Sequence, residues 1–429
     1  MLQLNDMVES LYNILYNAII VPLLYMLYAG GSLFLPKLKA KIHGEVPSWS
    51  KVPTKKSGVR RILFHAASVG EFEQCKPIIE LLKQQHPATD VIVSFSSPSA
   101  YKTQQQYKWA DAIVYAPFDS SFRVKQFLLI TNPDCIVVDR YDLWWNFTRL
   151  TKQLQIPIHL INATYPSSLL WKYPFFRTYI TLLLNRCTTI TPINYNNKQK
   201  FNKLLGNTTV VFDALPDSRY DRLSSMLNTT VQQQIQQVLP QWFTERFPTI
   251  IVIGSSWKED EDVILQELLS FQQQFNTIGV ILVPHEPTPE TVQQLLKSIP
   301  HACILSNPDQ TESNTIIVDS VGKLLMIYSV ASAAYIGGGF GAGVHSVTEA
   351  AVYGIPVSCG PNIRRNLSAM ELQQRNGLTV CSTPEDFRTW IQTSVLNETT
   401  RLHIGAANRE YILQQIGSSQ KLLERILQS

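Results

Sequence analysis

Short apolar runs alternate with longer helix-like segments twice along this chain, and nothing else in its 429 residues constrains the fold as much. In the first half the strand-like runs are Arg61–Ala66, Val91–Phe95, Ala112–Tyr115, Cys135–Asp139, Ile158–Ile161 and Thr188–Thr191. A second series opens at Ile250–Gly254. It continues through Val280–Val283, Ala302–Leu305, Thr315–Val318, Ala333–Ile336, Val357–Cys359 and Leu378–Val380, before a helical tail over Thr399–Leu427. Such alternation builds a parallel sheet covered by helices. Two series in a chain of this length predict two α/β domains instead of one core. The polar, turn-rich stretch Asn207–Thr230 reads as the region before the connection. The expected division is therefore 1–45, 46–230 and 231–429, with the last helix free to pack back on the first domain. Ligands of facing α/β domains bind at the carboxyl ends of the strands.

Hydrophobic residues make up 45% of the chain and charged residues 16%, so a sizeable core is available and disorder is excluded. The formal charge of +4 is too small to argue for a nucleic-acid partner, and it suits work beside anionic lipid. The six cysteines, Cys75, Cys135, Cys187, Cys303, Cys359 and Cys381, show no metal-ligand spacing and read as buried free thiols.

The amino terminus stands apart. Leu11–Leu35 carries no charge and is rich in Leu, Ile, Tyr and Val, long enough to span or deeply enter a bilayer. Pro22 and the Gly30-Gly31 pair are tolerated in membrane helices. Lys37, Lys39, Lys41, Lys51, Lys55, Lys56, Arg60 and Arg61 follow, which places the rest of the chain on the cytoplasmic side. A cleavable signal would need a basic start, which is missing. A buried soluble helix is the competing reading, because several tyrosines, Asn13 and Asn17 dilute the stretch.

The chemistry sits at predicted strand ends. Ala334 to Asn362 reads as strand, glycine-rich turn, a helix opening near Ser346, and another strand. Gly337, Gly338, Gly339, Gly341 and Gly343 strip the turn of Cβ atoms, so a ligand can approach the backbone. A helix start there would suit a phosphate, and Glu349 one turn in would suit a sugar hydroxyl. The match to a dinucleotide fingerprint fails for want of an acid after the next strand, where Ser358 and Cys359 stand. His345 and Glu349 lack a third metal ligand at fitting spacing. The turn Gly254-Ser255-Ser256 can offer N–H and hydroxyl donors to a phosphate, and His285 ends the next strand. In the first domain, His65-Ala-Ala-Ser-Val-Gly-Glu71 places a carboxylate at a strand end, either as a general base or as a favourable first-turn helix charge. Asp139-Arg-Tyr-Asp142 adds a second acid and Arg140, which suits a phosphate or a salt bridge. Trp144 reads as core.

Together with Pro117-Phe-Asp119, Tyr141-Asp-Leu-Trp144, Pro216-Asp-Ser-Arg-Tyr-Asp221, Gly254-Ser-Ser-Trp257, Pro284-His-Glu286 and Tyr335 through Asn362, these strings resemble the 3-deoxy-D-manno-octulosonic acid (Kdo) transferases of lipopolysaccharide assembly. The Gly-Gly-Gly-Phe-Gly-x-Gly-x-His form is similar to that of the Bacteroidetes group. The resemblance runs along nearly the whole chain. It implies an α/β GT-B glycosyltransferase, with two Rossmann-like domains facing a cleft and an N-terminal membrane-anchoring helix. It implies CMP-Kdo as donor, a lipid A precursor (lipid IVA) as acceptor, the bacterial inner membrane as location with the catalytic domains on its cytoplasmic face, and no metal or other cofactor. It assigns Glu71 as the base on the acceptor hydroxyl, with Asp142, at a position usually Glu, assisting. Ser68, Gly70, Arg140 and Tyr141 would meet the acceptor. Arg219, Ser255, Ser256, His285, Gly339, Gly341, Gly343, His345, Ser346, Glu349 and Asn362 would meet the donor. Another lipid-linked sugar transferase, an epimerase of the same architecture, and a non-catalytic sugar-nucleotide binder are the alternatives. The apolar start argues against a soluble epimerase, and the presence of both Glu71 and Glu349 against a degenerate binder.

Overall fold

A computed structural model of the protein describes residues 2–165, 173–206, 210–225, 235, 238–308 and 313–428. It divides into two compact units, Met1–Asp221 with Gly417–Ser429, and Arg222–Ile416. The polar stretch Asn207–Thr230 lies partly outside the described residues.

Unit 1 holds β1 (Arg61–Ala66), β2 (Asp90–Phe95), β3 (Ala112–Tyr115), β4 (Cys135–Asp139), β5 (Ile158–Ala163) and β6 (Thr189–Pro192). They form one parallel sheet in the order β3-β2-β1-β4-β5-β6. This is the doubly wound order whose chain direction reverses between β1 and β4, leaving a crevice at their carboxyl ends. Every residue of β1, β3, β4, β5 and β6 is buried, as the near-continuous apolar runs required of a sheet covered on both faces.

The helix Ser418–Leu427 belongs to this unit. Leu422, Leu423 and Ile426 are buried with Ile78, Ile79 and Leu82 of the helix Val69–Gln85. Each such side chain contributes about 1.5–3 kcal/mol on leaving water. Asp221 fixes the return by accepting from the Gly417 and Ser419 N–H groups.

The other face of the sheet carries the amino terminus. Leu2–Leu15, a π turn over Tyr16–Ile20 and Val21–Ser32 follow one another as nearly continuous helix. The span Met7–Ser32 is apolar and long enough to cross a membrane. It nevertheless rests against unit 1. Glu9 pairs with Arg186 at 2.7 Å, the Tyr12 hydroxyl donates to the Phe175 carbonyl at 2.7 Å, and Asn17 exchanges hydrogen bonds with Asn146. Tyr12 and Tyr16 stack near Trp145, and Tyr28 meets Phe118 edge-on at 5.5 Å. The polar and aromatic residues that dilute the stretch are thus its docking face, repeating every three or four positions. Leu11, Ile14, Met26 and Leu27 point away, each more than half exposed.

Unit 2 holds β7 (Thr249–Ser256), β8 (Ile278–Pro284), β9 (Cys303–Ile304), β10 (Thr315–Ile317), β11 (Ala333–Ile336), β12 (Val357–Cys359) and β13 (Leu378–Val380). The sheet is parallel, in the order β13-β12-β11-β7-β8-β10-β9, with the reversal between β7 and β11. All six cysteines are buried and free.

Candidate active site

In unit 1 the candidate residues gather at the β1 and β4 ends. Ser68 caps the helix Val69–Gln85 by accepting from the Glu71 N–H, and the Glu71 carboxylate accepts from the Ala67 N–H at 2.6 Å. The helix start therefore fixes Glu71 at the crevice. Burial pushes its carboxyl above the ordinary range and Asp142 adds to this, while the Ala67 N–H, Arg140 and His65 pull the other way. A carboxylate poised upward in this way is suited to take a proton near neutral pH.

Asp142 has the opposite setting. Burial alone would raise its pKa, but His65, Ser96 and Trp144 outweigh burial and hold it at about 2. Its Oδ2 lies 2.9 Å from His65 Nε2 and accepts from the Ser96 hydroxyl at 2.8 Å, and its Oδ1 accepts from Trp144 Nε1 at 2.8 Å. His65 Nδ1 meets the Ser94 hydroxyl at 2.9 Å. Asp142 is thus a fixed negative charge and no proton donor. Two carboxyls with such divergent settings are suited to different tasks, one to accept a proton and one to hold a fixed charge. Trp144, read as core, is 38% exposed and lines a cavity beside Asp142, because its indole N–H is turned to the carboxylate.

Arg140 adopts φ 61°, and its Nε donates to Gln74 Oε1 at 2.9 Å. Tyr141 and Gly70 are both exposed. Arg219 lies in unit 1 with its guanidinium on Asp217 at 2.9 Å. Asn162 ties Asp139 at 2.7 Å to Ser218 at 2.9 Å, so the Pro216–Asp221 string is bound into the crevice wall.

Unit 2 gathers its residues at the β7, β8, β11 and β12 ends. The β7–β8 register slips between Gly254 and Ser256, and Ser255 takes φ 53°. A bulge of this kind re-aims a strand end. Trp257 stacks on His285 at 4.5 Å, His285 on His345 at 4.4 Å, and Trp257 Nε1 donates to His345 Nε2 at 2.9 Å. Burial first, and then His285, lowers the His345 pKa, so the ring is neutral with its proton on Nδ1.

The glycine turn differs from expectation in two ways. A Cβ on Gly337 would lie 2.2 Å from the Ser255 carbonyl oxygen, and one on Gly339 would lie 2.5 Å from the Gly360 nitrogen. These two glycines let strand ends pack, whereas at Gly341 the nearest atom to a Cβ is 4.0 Å away and ligand approach is open. The expected helix at Ser346 is a single turn, Thr348–Ala351, too short for a strong dipole. Glu349 is its second residue and is half-buried. Ser346 meets Thr348 hydroxyl to hydroxyl at 3.3 Å, and Asn362 Nδ2 donates to the Gly341 carbonyl at 2.9 Å. Gly343 takes φ 135° in the same turn. The Ser256 hydroxyl is already committed to Glu261 at 2.8 Å.

Asp260 carries no sequence signal beyond a helix first turn, yet it organises the site. Fully buried, it accepts from the Gly338 N–H at 2.8 Å, the Tyr335 hydroxyl at 3.0 Å and the Trp257 N–H at 3.1 Å.

Residues 42–222 match the family model of 3-deoxy-D-manno-octulosonic-acid transferase (kdotransferase). The chain is 26% identical over 401 residues to the 3-deoxy-D-manno-octulosonic acid transferase of Rickettsia felis, covering 89% of this chain and 81% of that protein. To the enzyme of the same name from Haemophilus influenzae it is 22% identical over 374 residues, covering 85% and 86%. To that of Aquifex aeolicus it is 25% identical over 317 residues, covering 73% and 79%.

Over most of its length the chain is similar to Kdo transferases, and its first unit matches their family model. It is a glycosyltransferase.

Among solved structures, UDP-GlcNAc 2-epimerase from Neisseria meningitidis bound to UDP-GlcNAc superposes with a TM-score of 0.63 at 15% identity, covering 86% of this chain and all of that one. A glycosyltransferase from Rickettsia africae gives 0.55 at 13% identity, covering 86% and 97%. These likenesses show the GT-B fold. The family match spans unit 1 from Ile42 onward and so contains Glu71 and Asp142. The alignment to the Rickettsia felis enzyme is too long to fit in one unit and extends over both.

Proposed function

We propose that this glycosyltransferase moves Kdo from CMP-Kdo to a hydroxyl of a lipid A precursor, with inversion, at the cytoplasmic face of the bacterial inner membrane. The observation that carries the mechanism is the pair of oppositely set carboxyls at the β1–β4 crevice. Glu71 takes the proton from the acceptor hydroxyl as its oxygen attacks the anomeric carbon. The bond from that carbon to the CMP phosphate breaks, and CMP leaves with the electron pair. Asp142 keeps its negative charge throughout, and it holds Glu71 basic. Unit 2 binds the nucleotide. The Trp257–His285–His345 stack offers a flat face, and the open backbone around Gly341 suits close approach of the phosphate. In this reading protein donors stabilise the leaving phosphate and no metal is required.

The test is release of CMP together with the mass of the lipid product, for wild type and Glu71→Gln run in parallel. General-base loss costs about 10²–10⁴-fold in kcat. A variant within tenfold of wild type would remove Glu71 from the role. A wild type that transfers a different sugar would overturn the donor assignment and leave the fold intact.

A further inference from the structure

The amino-terminal helix does more than touch unit 1. A cavity of about 70 Å³ lies beside the catalytic crevice, and its wall combines Asp142, His65 and Trp144 with Leu24, Tyr28 and Lys41. The first three come from strand ends of the sheet. Leu24 and Tyr28 come from the apolar helix Val21–Ser32, and Lys41 from the next helix, Pro36–Trp49. Leu24 and Tyr28 are four residues apart, so they share one helix face, turned inward. Lys41 is 6% exposed. Among the described residues its ammonium has no hydrogen bond or ion pair and meets the Tyr28 ring at 5.8 Å. Burial lowers its pKa, while Glu45 and Asp142 act to keep it charged. A buried cation with donors to spare on a cavity wall is costly unless a ligand oxygen completes its bonding. The helix Val21–Ser32 presents Leu23, Met26 and Leu27 outward, each more than 45% exposed.

We infer that the membrane-associated helix is a wall of the acceptor site, in which Tyr28 packs against the sugar head of a lipid acceptor, Lys41 donates to one of its oxygens, and the outer apolar face meets its acyl chains. The inference rests on the acceptor reading above, and it makes Tyr28 and Lys41 specificity residues. The ligand class is an amphiphile with a sugar head. A water-soluble sugar lacks the part that the outer face would hold. A plain tether would work equally well with any inward face, provided the helix stayed in the membrane. A wall would not.

Binding of lipid IVA to the full-length protein in detergent micelles, where tethering is irrelevant, separates the two. The set is wild type, Tyr28→Ala, Lys41→Met, the conservative Tyr28→Phe and Lys41→Arg, and the outward-facing Met26→Ala and Leu27→Ala. Tyr28→Ala and Lys41→Met are expected to weaken binding on the order of tenfold each, the size of one lost charged hydrogen bond or ring contact. Tyr28→Phe and Lys41→Arg should keep most of the affinity, and CMP binding should be unchanged in all. In micelles the outward side chains lie against detergent tails when no lipid is bound, and acyl chains replace like with like, so each outward variant should cost less than threefold. The inference is overturned if wild type does not bind the lipid, if the inward variants bind it as wild type does, or if inward and outward variants weaken alike. Thermal melting identifies any variant that fails to fold. Intact binding without Kdo transfer would sink the proposed reaction and leave this site standing.

Discussion

Replacing Asp142 by asparagine tests the charge arrangement of unit 1 directly. The wild-type carboxylate accepts from Ser96 and Trp144 and meets His65. An amide has one acceptor oxygen, so either the Trp144 side or the His65–Ser96 side loses its partner. Lowering a buried carboxyl from 3.8 to about 2 corresponds to about 2 kcal/mol of native-state stabilisation. The cost of removing a charged hydrogen-bond partner, roughly 1.5–3 kcal/mol, gives the same order. For a unit of this size the expected fall in Tm at pH 7 is about 4–8 °C. The pH dependence carries the sign. The folded-state pKa is depressed, so the stabilisation is complete above the unfolded value of 3.8 and is lost as pH falls through about 2. Denaturant unfolding of wild type and variant from pH 6 down to pH 2 should show two curves that converge at the acid end. The same substitution removes the charge that helps raise Glu71. The acid limb of the pH–rate profile should therefore move to lower pH. A stability gap that is absent at pH 7, or that persists unchanged to pH 2, would refute this account of Asp142.

Two further outcomes concern unit 2. Gly339→Ala should unfold or severely destabilise it, because the added Cβ meets the Gly360 backbone at 2.5 Å, while Gly341→Ala should melt within about 1 kcal/mol of wild type; thermal melting distinguishes them. Asp260→Ala leaves the Gly338 and Trp257 N–H groups without their acceptor, an expected loss of about 2–4 kcal/mol, with weaker CMP binding by calorimetry. A variant of Asp260 with unaltered CMP affinity would show that the glycine turn does not depend on it.

All thirteen strands were legible in the sequence, because a sheet buried on both faces demands short, nearly unbroken apolar runs, and such runs survive without knowledge of their neighbours. Glu71 was legible for the same local reason: a strand running into Ser68-Val-Gly-Glu71 places the acid in the first turn of a helix. The helix expected at Ser346 was not, since the polar residues that suggest a helix start also serve a loop held from elsewhere, by Asn366 on the His345 carbonyl at 3.0 Å.

What the sequence alone determined is the set of elements and the residue types at their ends. What only the tertiary structure decided is which of those ends meet and what each group is then free to do. His65 and Asp142 are 77 residues apart, and Asp260 and Gly338 are 78 apart. No local pattern encodes those pairings, yet they fix one carboxyl as a permanent charge and build the glycine-rich turn. The amino-terminal helix is the plainest case. Its composition permits a bilayer span, but the periodic Glu9, Tyr12, Asn13, Tyr16 and Asn17 gain meaning only when Arg186, Trp145 and Asn146 lie opposite them. Hydropathy measures how much a segment avoids water, and only packed neighbours decide which face does so.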